Sequence, residues 1–129
     1  MRKIIILMLL IICSVSVYSK NWGRVIHAIA KVESNHNPKA KNGIYAGYLQ
    51  IAPIIVNDCN RILKIRKIKK SFTLNDRYDK NKSIEMFIII QSFYNKKGNV
   101  ERAIRLWNGG PNYSITKTQK YYNKVKKHL

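Results

Sequence analysis

At 129 residues, with 25 Lys and Arg against 6 Asp and Glu and a formal charge of +19, the chain has room for one small domain and a strong pull toward polyanions. Three scattered histidines and two cysteines, one of them in an apolar leader, exclude an internal disulfide and give no HExxH or CxxC metal motif. No metal and no cofactor is expected.

The chain opens on a basic Met1-Arg2-Lys3, followed by an uncharged, mostly apolar run over residues 4–17. Val17-Tyr18-Ser19 suits signal peptidase, so cleavage is predicted after Ser19, leaving residues 20–129 as the domain. The strongly apolar part, about 14 residues, falls short of the roughly 20 that span a bilayer, which favours a cleaved leader over a retained anchor. Ile12 before Cys13 discounts a lipoprotein signal. An exported protein, periplasmic or secreted and monomeric, is therefore expected, with no stable membrane anchor after cleavage. Without Arg2 and Lys3 it carries 23 basic and 6 acidic residues, a formal +17. Its export argues against nucleic acid as the polyanion; anionic lipid, wall polymers and peptidoglycan stay open.

Trp22, Val25, Ile26, Ile29, Val32 and Glu33 fall on one face of a helix predicted from Trp22 to Ser34. Pro38 disfavours helix at Asn37 and ends it. Glu33, one of six acids, thus sits at the end of an apolar stripe and at a helix C-terminus. Apolar neighbours and the helix dipole both disfavour its charge and push its pKa up, toward a general acid. The competing reading pairs it with a Lys or Arg.

Turn signals follow at Asn37-Pro38 and Asn42-Gly43, and residues 45–52 read as a short extended segment or hairpin arm. Pro53 suits the first position of a second helix, to about Leu63. Cys59, among apolar neighbours, reads as a small buried hydrophobe. The basic run 64–70 either extends that helix or forms an exposed arm. A third helix, Lys80 to Lys96, is apolar nearly all round and is expected at the centre of the core. Gly98 stops it, Asn99 caps a fourth over Val100 to Trp107, and Asn108-Gly109-Gly110-Pro111 breaks that one. A last helix runs from about Thr116 to Lys127. The class is mainly α, with a short β-hairpin near residues 42–52.

Four segments, in order across residues 22–125, resemble the soluble-type lytic transglycosylases, lysozyme-like enzymes that cut bacterial peptidoglycan. Glu33-Ser34 with Asn37-Pro38-x-Ala40 looks like E-S-x-x-N-P-x-A. Gly47-Tyr48-Leu49-Gln50-Ile51 with Pro53 is similar to G-L-M-Q-I/L-x-P. Ala103-x-x-Leu106-Trp107-Asn108-Gly109-Gly110 resembles A-x-x-A-Y-N-A/G-G, and Thr118-x-x-Tyr121-x-x-Lys124-Val125 resembles E-T-x-x-Y-x-x-K-V.

The resemblance implies a lysozyme-like helical domain that cleaves the β-1,4 bond between N-acetylmuramic acid and N-acetylglucosamine. Glu33 would be acid and then base, and the product a 1,6-anhydro-muramyl end. Ser34 would orient substrate or carboxyl, or else serve as a helix-terminal hydroxyl. Gln50 would meet an N-acetyl or hydroxyl group, and Gly47 would let the backbone approach a sugar or else serve an ordinary turn. Asn108 would bind sugar or cap local backbone. Trp107 stands where the family has Tyr and can stack on a sugar but offers no phenolic hydroxyl. Tyr121 would supply that hydroxyl, unless the acid is tuned differently. Tyr48 would add a sugar platform. A hydrolase on the same fold and a non-catalytic cationic wall-binding protein are the alternatives. Small size favours local gap-making for a secretion, conjugation or phage machine.

Overall fold

The computed structural model describes residues 22–129; the leader, its expected cleavage at Ser19 and Cys13 lie outside the described residues. Helix α1 covers residues 22–34. Its stripe packs as the spacing requires, with Trp22, Val25, Ile26 and Ile29 buried, and Ala28 and Ala30 are fully covered as well. The helix stops in a strained turn in which Asn35 and His36 both take positive φ, 52° and 62°.

A tight hairpin follows. Strands β1 (Lys41–Asn42) and β2 (Tyr45–Ala46) pair antiparallel, Lys41 with Ala46 and Asn42 with Tyr45. Gly43, at φ +59°, takes the first place of the two-residue loop, where glycine suits a hairpin turn. The pair thus lies slightly earlier than expected. Residues 47–50 are a turn that returns the chain so that Ala46 bridges Ile51.

Helix α2 (Pro53–Ile65) begins on the predicted proline and buries Val56, Cys59, Ile62 and Leu63. Cys59 is the buried hydrophobe expected: its thiol donates to the Met86 carbonyl at 3.5 Å, and burial pushes its pKa up to about 12. The basic run divides. Lys64 and Ile65 finish the helix, and Lys67, at φ +56°, closes it: its N–H meets the Lys64 carbonyl, and that of Ile68 meets the Leu63 carbonyl. Lys67, Lys69 and Lys70 then lie on an exposed arm. Phe72 anchors the arm in the core, its backbone bracketed by the Asn60 amide, which accepts from its N–H at 2.7 Å and donates to its carbonyl at 2.9 Å.

A 3-10 turn (Leu74–Tyr78) leads to α3 (Lys80–Tyr94), whose N-terminus is capped by Asp79. Met86 and Phe87 are fully buried, but Ile84, Ile88, Ile89 and Phe93 are only half-covered. Helix α3 is therefore one wall of the core rather than its centre, and α1 is buried at least as deeply. It ends two residues early because Asn95 turns inward. Its amide donates to the Asn99 carbonyl at 2.8 Å and accepts from the Asn99 N–H at 3.1 Å, tying α3 to the start of α4.

Helix α4 (Val100–Gly109) has the predicted Asn99 cap, with Arg102 N–H donating to its side chain at 2.8 Å. It runs two residues past the expected end, so Asn108 is helical. Helix α5 (Ile115–Lys126) crosses α4 closely; a Cβ at Gly109 would lie 2.7 Å from Tyr113 Cβ and 2.9 Å from Thr118 Cγ2. Arg105, only 2% exposed, locks the pair: it donates to the Ile115 carbonyl, to Thr118 and to Gln119, and pairs with Glu101 at 2.9 Å. The fold is mainly α with one small hairpin, and among the described residues no helix is long and apolar enough to cross a membrane.

Candidate active site

A cleft of about 600 Å³ opens where the end of α1, the hairpin, α4 and α5 meet. Val32 and Glu33 come from α1, Asn42 and Tyr45 from the hairpin, and Gln50 from the turn after it. Trp107 and Asn108 come from the last turn of α4; Lys117, Lys120, Tyr121 and Lys124 come from α5.

Glu33 reaches this cleft because α1 ends there. Its pKa is raised above 4.5, first by burial, and a hydrogen-bonding influence from Tyr121 opposes the rise. The Tyr121 hydroxyl is buried and meets no partner in closed hydrogen-bond geometry, so it stands beside the carboxyl without a fully formed bond. Burial, and next the Glu33 charge, hold Tyr121 well above its ordinary pKa of 10, so it keeps its proton and acts as a donor. Among the described residues no ion pair involves Glu33, and the pairing with Lys or Arg considered from the sequence is not what the fold builds.

The other five carboxylates are engaged elsewhere. Asp58 pairs with Arg61 at 2.7 Å and accepts from Tyr94 at 2.6 Å. Asp76 accepts from Thr73 N–H at 2.7 Å and pairs with Lys82 at 3.0 Å, which holds its pKa low. Asp79 caps α3, Glu85 pairs with Lys70, and Glu101 pairs with Arg105. Among the described residues Glu33 is thus the one carboxylate lining the cleft.

The remaining sequence candidates divide. Gln50 lines the cleft, at φ +51°, with its amide N–H groups donating to the Ala40 carbonyl at 3.2 Å and the Gly47 carbonyl at 2.9 Å; Oε1 is left as an acceptor. Trp107 also lines it, with its indole N–H fixed on the Leu49 carbonyl at 3.1 Å and its ring against Phe87, centroids 5.1 Å apart. Asn108 is exposed on the rim.

Tyr48, Ser34 and Gly47 all turn toward the protein itself, which corrects the sugar platform expected of Tyr48. Tyr48 is 4% exposed and lies outside the cleft; its ring has Lys80 over it at 5.1 Å and its hydroxyl 3.4 Å from His36 Nδ1, which leaves no face for a sugar. The aromatic that faces the cleft from this region is Tyr45, 47% exposed, which the sequence reading missed. Ser34 takes the second role open to it, a helix-terminal hydroxyl that ties backbone. Its hydroxyl donates to the Tyr48 carbonyl at 2.8 Å and accepts from Asn37 N–H at 3.1 Å, joining the end of α1 to the turn that carries Gln50. Gly47 admits the backbone of the 3-10 turn, the carbonyl of Arg77, against its open side.

The decisive comparison is with protein families, where the Transglycosylase SLT domain model matches residues 15–129. The chain belongs to the transglycosylase SLT family. No curated protein and no solved structure matches it. The match begins inside the expected leader and covers every element described above. An SLT domain is lysozyme-like and of the lytic-transglycosylase type that acts on peptidoglycan, which agrees with the helical architecture and the hairpin beside the cleft. Within this SLT domain, Asn42, Tyr45, Lys117 and Lys120 are cleft residues that the four sequence segments did not mark. The lysines had a readable signal, since 117, 120 and 124 recur with Tyr121 on one helical face. Asn42 and Tyr45 had none, because only the hairpin's position at the cleft brings them in.

Proposed function

We propose that this SLT domain cleaves the β-1,4 bond between N-acetylmuramic acid and N-acetylglucosamine and closes a 1,6-anhydro ring on the muramyl product, with Glu33 as the catalytic residue. The observation that carries the reading is a lone, unpaired, partly buried carboxyl in a cleft wide enough for sugar rings. Burial keeps its proton available at higher pH than usual. That proton goes to the glycosidic oxygen as its bond to C1 breaks, and the substrate's acetamido group stabilises the positive charge at C1. The Glu33 carboxylate then removes the C6 hydroxyl proton as O6 bonds to C1. Glu33 ends protonated and no water is consumed.

A hydrolase of the usual two-carboxylate kind needs a second Asp or Glu in the cleft. All five others are committed to caps and ion pairs away from it, which favours the ring-closing route. Gln50 Oε1 and Asn108 offer polar groups to N-acetyl and hydroxyl substituents, and Trp107 and Tyr45 offer ring faces. The protein reaches its substrate by export, with residues 1–19 removed, and opens the wall locally for a secretion, conjugation or phage machine.

The test is to follow purified peptidoglycan by turbidity and by reducing ends together. Falling turbidity with no new reducing ends is the expected result. Reducing ends rising in step would make the enzyme a hydrolase, and constant turbidity would defeat the reading.

Tyr121→Phe gives a second check, on the acid itself. The hydroxyl lowers the Glu33 pKa, so its removal raises it. The alkaline limb of the kcat/KM profile, where the free enzyme loses the Glu33 proton, should move to higher pH. A limb that stays in place would mean that the phenol does not act on the carboxyl.

A further inference from the structure

We propose that Lys117, Lys120 and Lys124 form an anion-reading wall that selects glycan strands by the carboxylates on their muramyl residues. This rests on the reading of the cleft as a glycan site and adds a substrate class to it: charged muramyl strands over uncharged ones. The three lysines sit at i, i+3 and i+7 of α5, flanking Tyr121, and all three line the cleft. They are exposed, and among the described residues no ion pair engages them.

Helix α5 carries no acid that could balance them. Like charges three and four apart on a helix weaken it, so the stripe works against the fold unless something outside it supplies the counter-charge. The lysines do not serve Glu33 either, since its shift comes from burial and Tyr121, with no lysine among its causes. Their charge is therefore directed at what occupies the cleft. Among the described residues Glu33 is the one carboxylate lining the cleft, so the three lysines outnumber it and the site's formal charge toward its ligand is positive. A muramyl residue brings a carboxylate there, either on its lactyl group or on the peptide stem attached to it.

The test measures binding, apart from turnover, with the full protein carrying Glu33→Gln. Its ligands are soluble glycan strands freed of wall polymers, in three forms: with stem peptides, with those carboxyls methyl-esterified, and stripped of stems by an amidase so that the lactyl carboxylate is bare. Adding Lys117→Gln, Lys120→Gln and Lys124→Gln should raise Kd for the stem-bearing strand about tenfold, as expected for three exposed ion pairs. Esterification should weaken the parent to a similar degree and leave the triple variant unchanged. Replacing all three by Arg should keep the affinity and shows that the helix face itself is intact.

In the stem-bearing strand the lactyl carboxyl is tied up in the amide to the stem, so esterification there tests the stem carboxylates; retained affinity for the stripped strand shows that a bare lactyl carboxylate can replace them, and lost affinity that the lysines read the stem alone. A triple Gln variant that binds as tightly as the parent, or a parent indifferent to esterification, would overturn the proposal. Lysine-dependent binding together with a wild type that cleaves nothing would sink the catalytic reading and leave this one standing.

Discussion

Glu33→Gln should lower the rate of peptidoglycan cleavage by about a thousandfold or more, in the range that loss of a general acid produces. The substitution keeps the shape of the side chain and removes only its acid function. It also has an expected effect on stability, which separates lost chemistry from lost structure. The folded state raises the Glu33 pKa above 4.5, so the folded protein holds this proton more tightly than the unfolded chain does. Below pH 4.5 the group is protonated in both states and exerts no penalty. As pH rises through the folded value, the cleft must hold a charge against its burial, and stability falls. The Gln variant escapes that loss. At pH 7 its Tm should exceed that of the wild type, with the difference closing as pH falls toward 4.5. A variant that keeps half the activity would remove Glu33 from the mechanism; one that melts lower at pH 7 would mean that its carboxylate stabilises the fold.

Gly47→Ala should be the most damaging small substitution in the domain, at about 3 kcal/mol or more of lost stability. The position has φ +86°, and an added Cβ would fall 1.7 Å from the Arg77 carbonyl oxygen and 2.7 Å from its carbon. Both atoms are backbone, so neither can swing aside. Arg77 is itself held: its carbonyl accepts from Ser83 at 2.9 Å, and its guanidinium donates to the Ile44 carbonyl at 2.9 Å and the Ile51 carbonyl at 3.1 Å. Moving it would loosen the hairpin and, with it, Tyr45 and Gln50. Gly43→Ala is the control. It shares the positive φ but has nothing within 4 Å of its Cβ position, so backbone strain of about 1 kcal/mol is all it should show. Urea midpoints for the two variants give the comparison; equal midpoints would refute the close approach at Gly47.

The helices were legible because their ends are written locally. Pro53 at a first position, Asn99 as a cap and Pro38 beyond a C-terminus each act through their own backbone. The placement of Glu33 was legible for the same reason, from one stripe and one stop. Tyr48 was misread because Tyr45 and Tyr48 lie three residues apart in a two-residue strand and a turn, and local pattern does not say which faces the cleft. Ser34 and Gly47 each had a substrate role and a local one open to them, and the sequence did not choose because their partners are carbonyls fourteen and thirty residues away, of Tyr48 and Arg77. Arg105 was hidden among so many basic residues. Nothing in its neighbours announces that it is buried to join α4 and α5, which a count of surface charge would overlook.

The most direct measurement is mass spectrometry of the fragments released from purified peptidoglycan by the wild type and by Glu33→Gln. Ring closure predicts muropeptides about 18 Da lighter than hydrolytic ones, the mass of the water not consumed, present with the wild type and absent with the variant. Fragments at full hydrolytic mass, or anhydro fragments that persist in the variant, would contradict a one-carboxylate mechanism centred on Glu33.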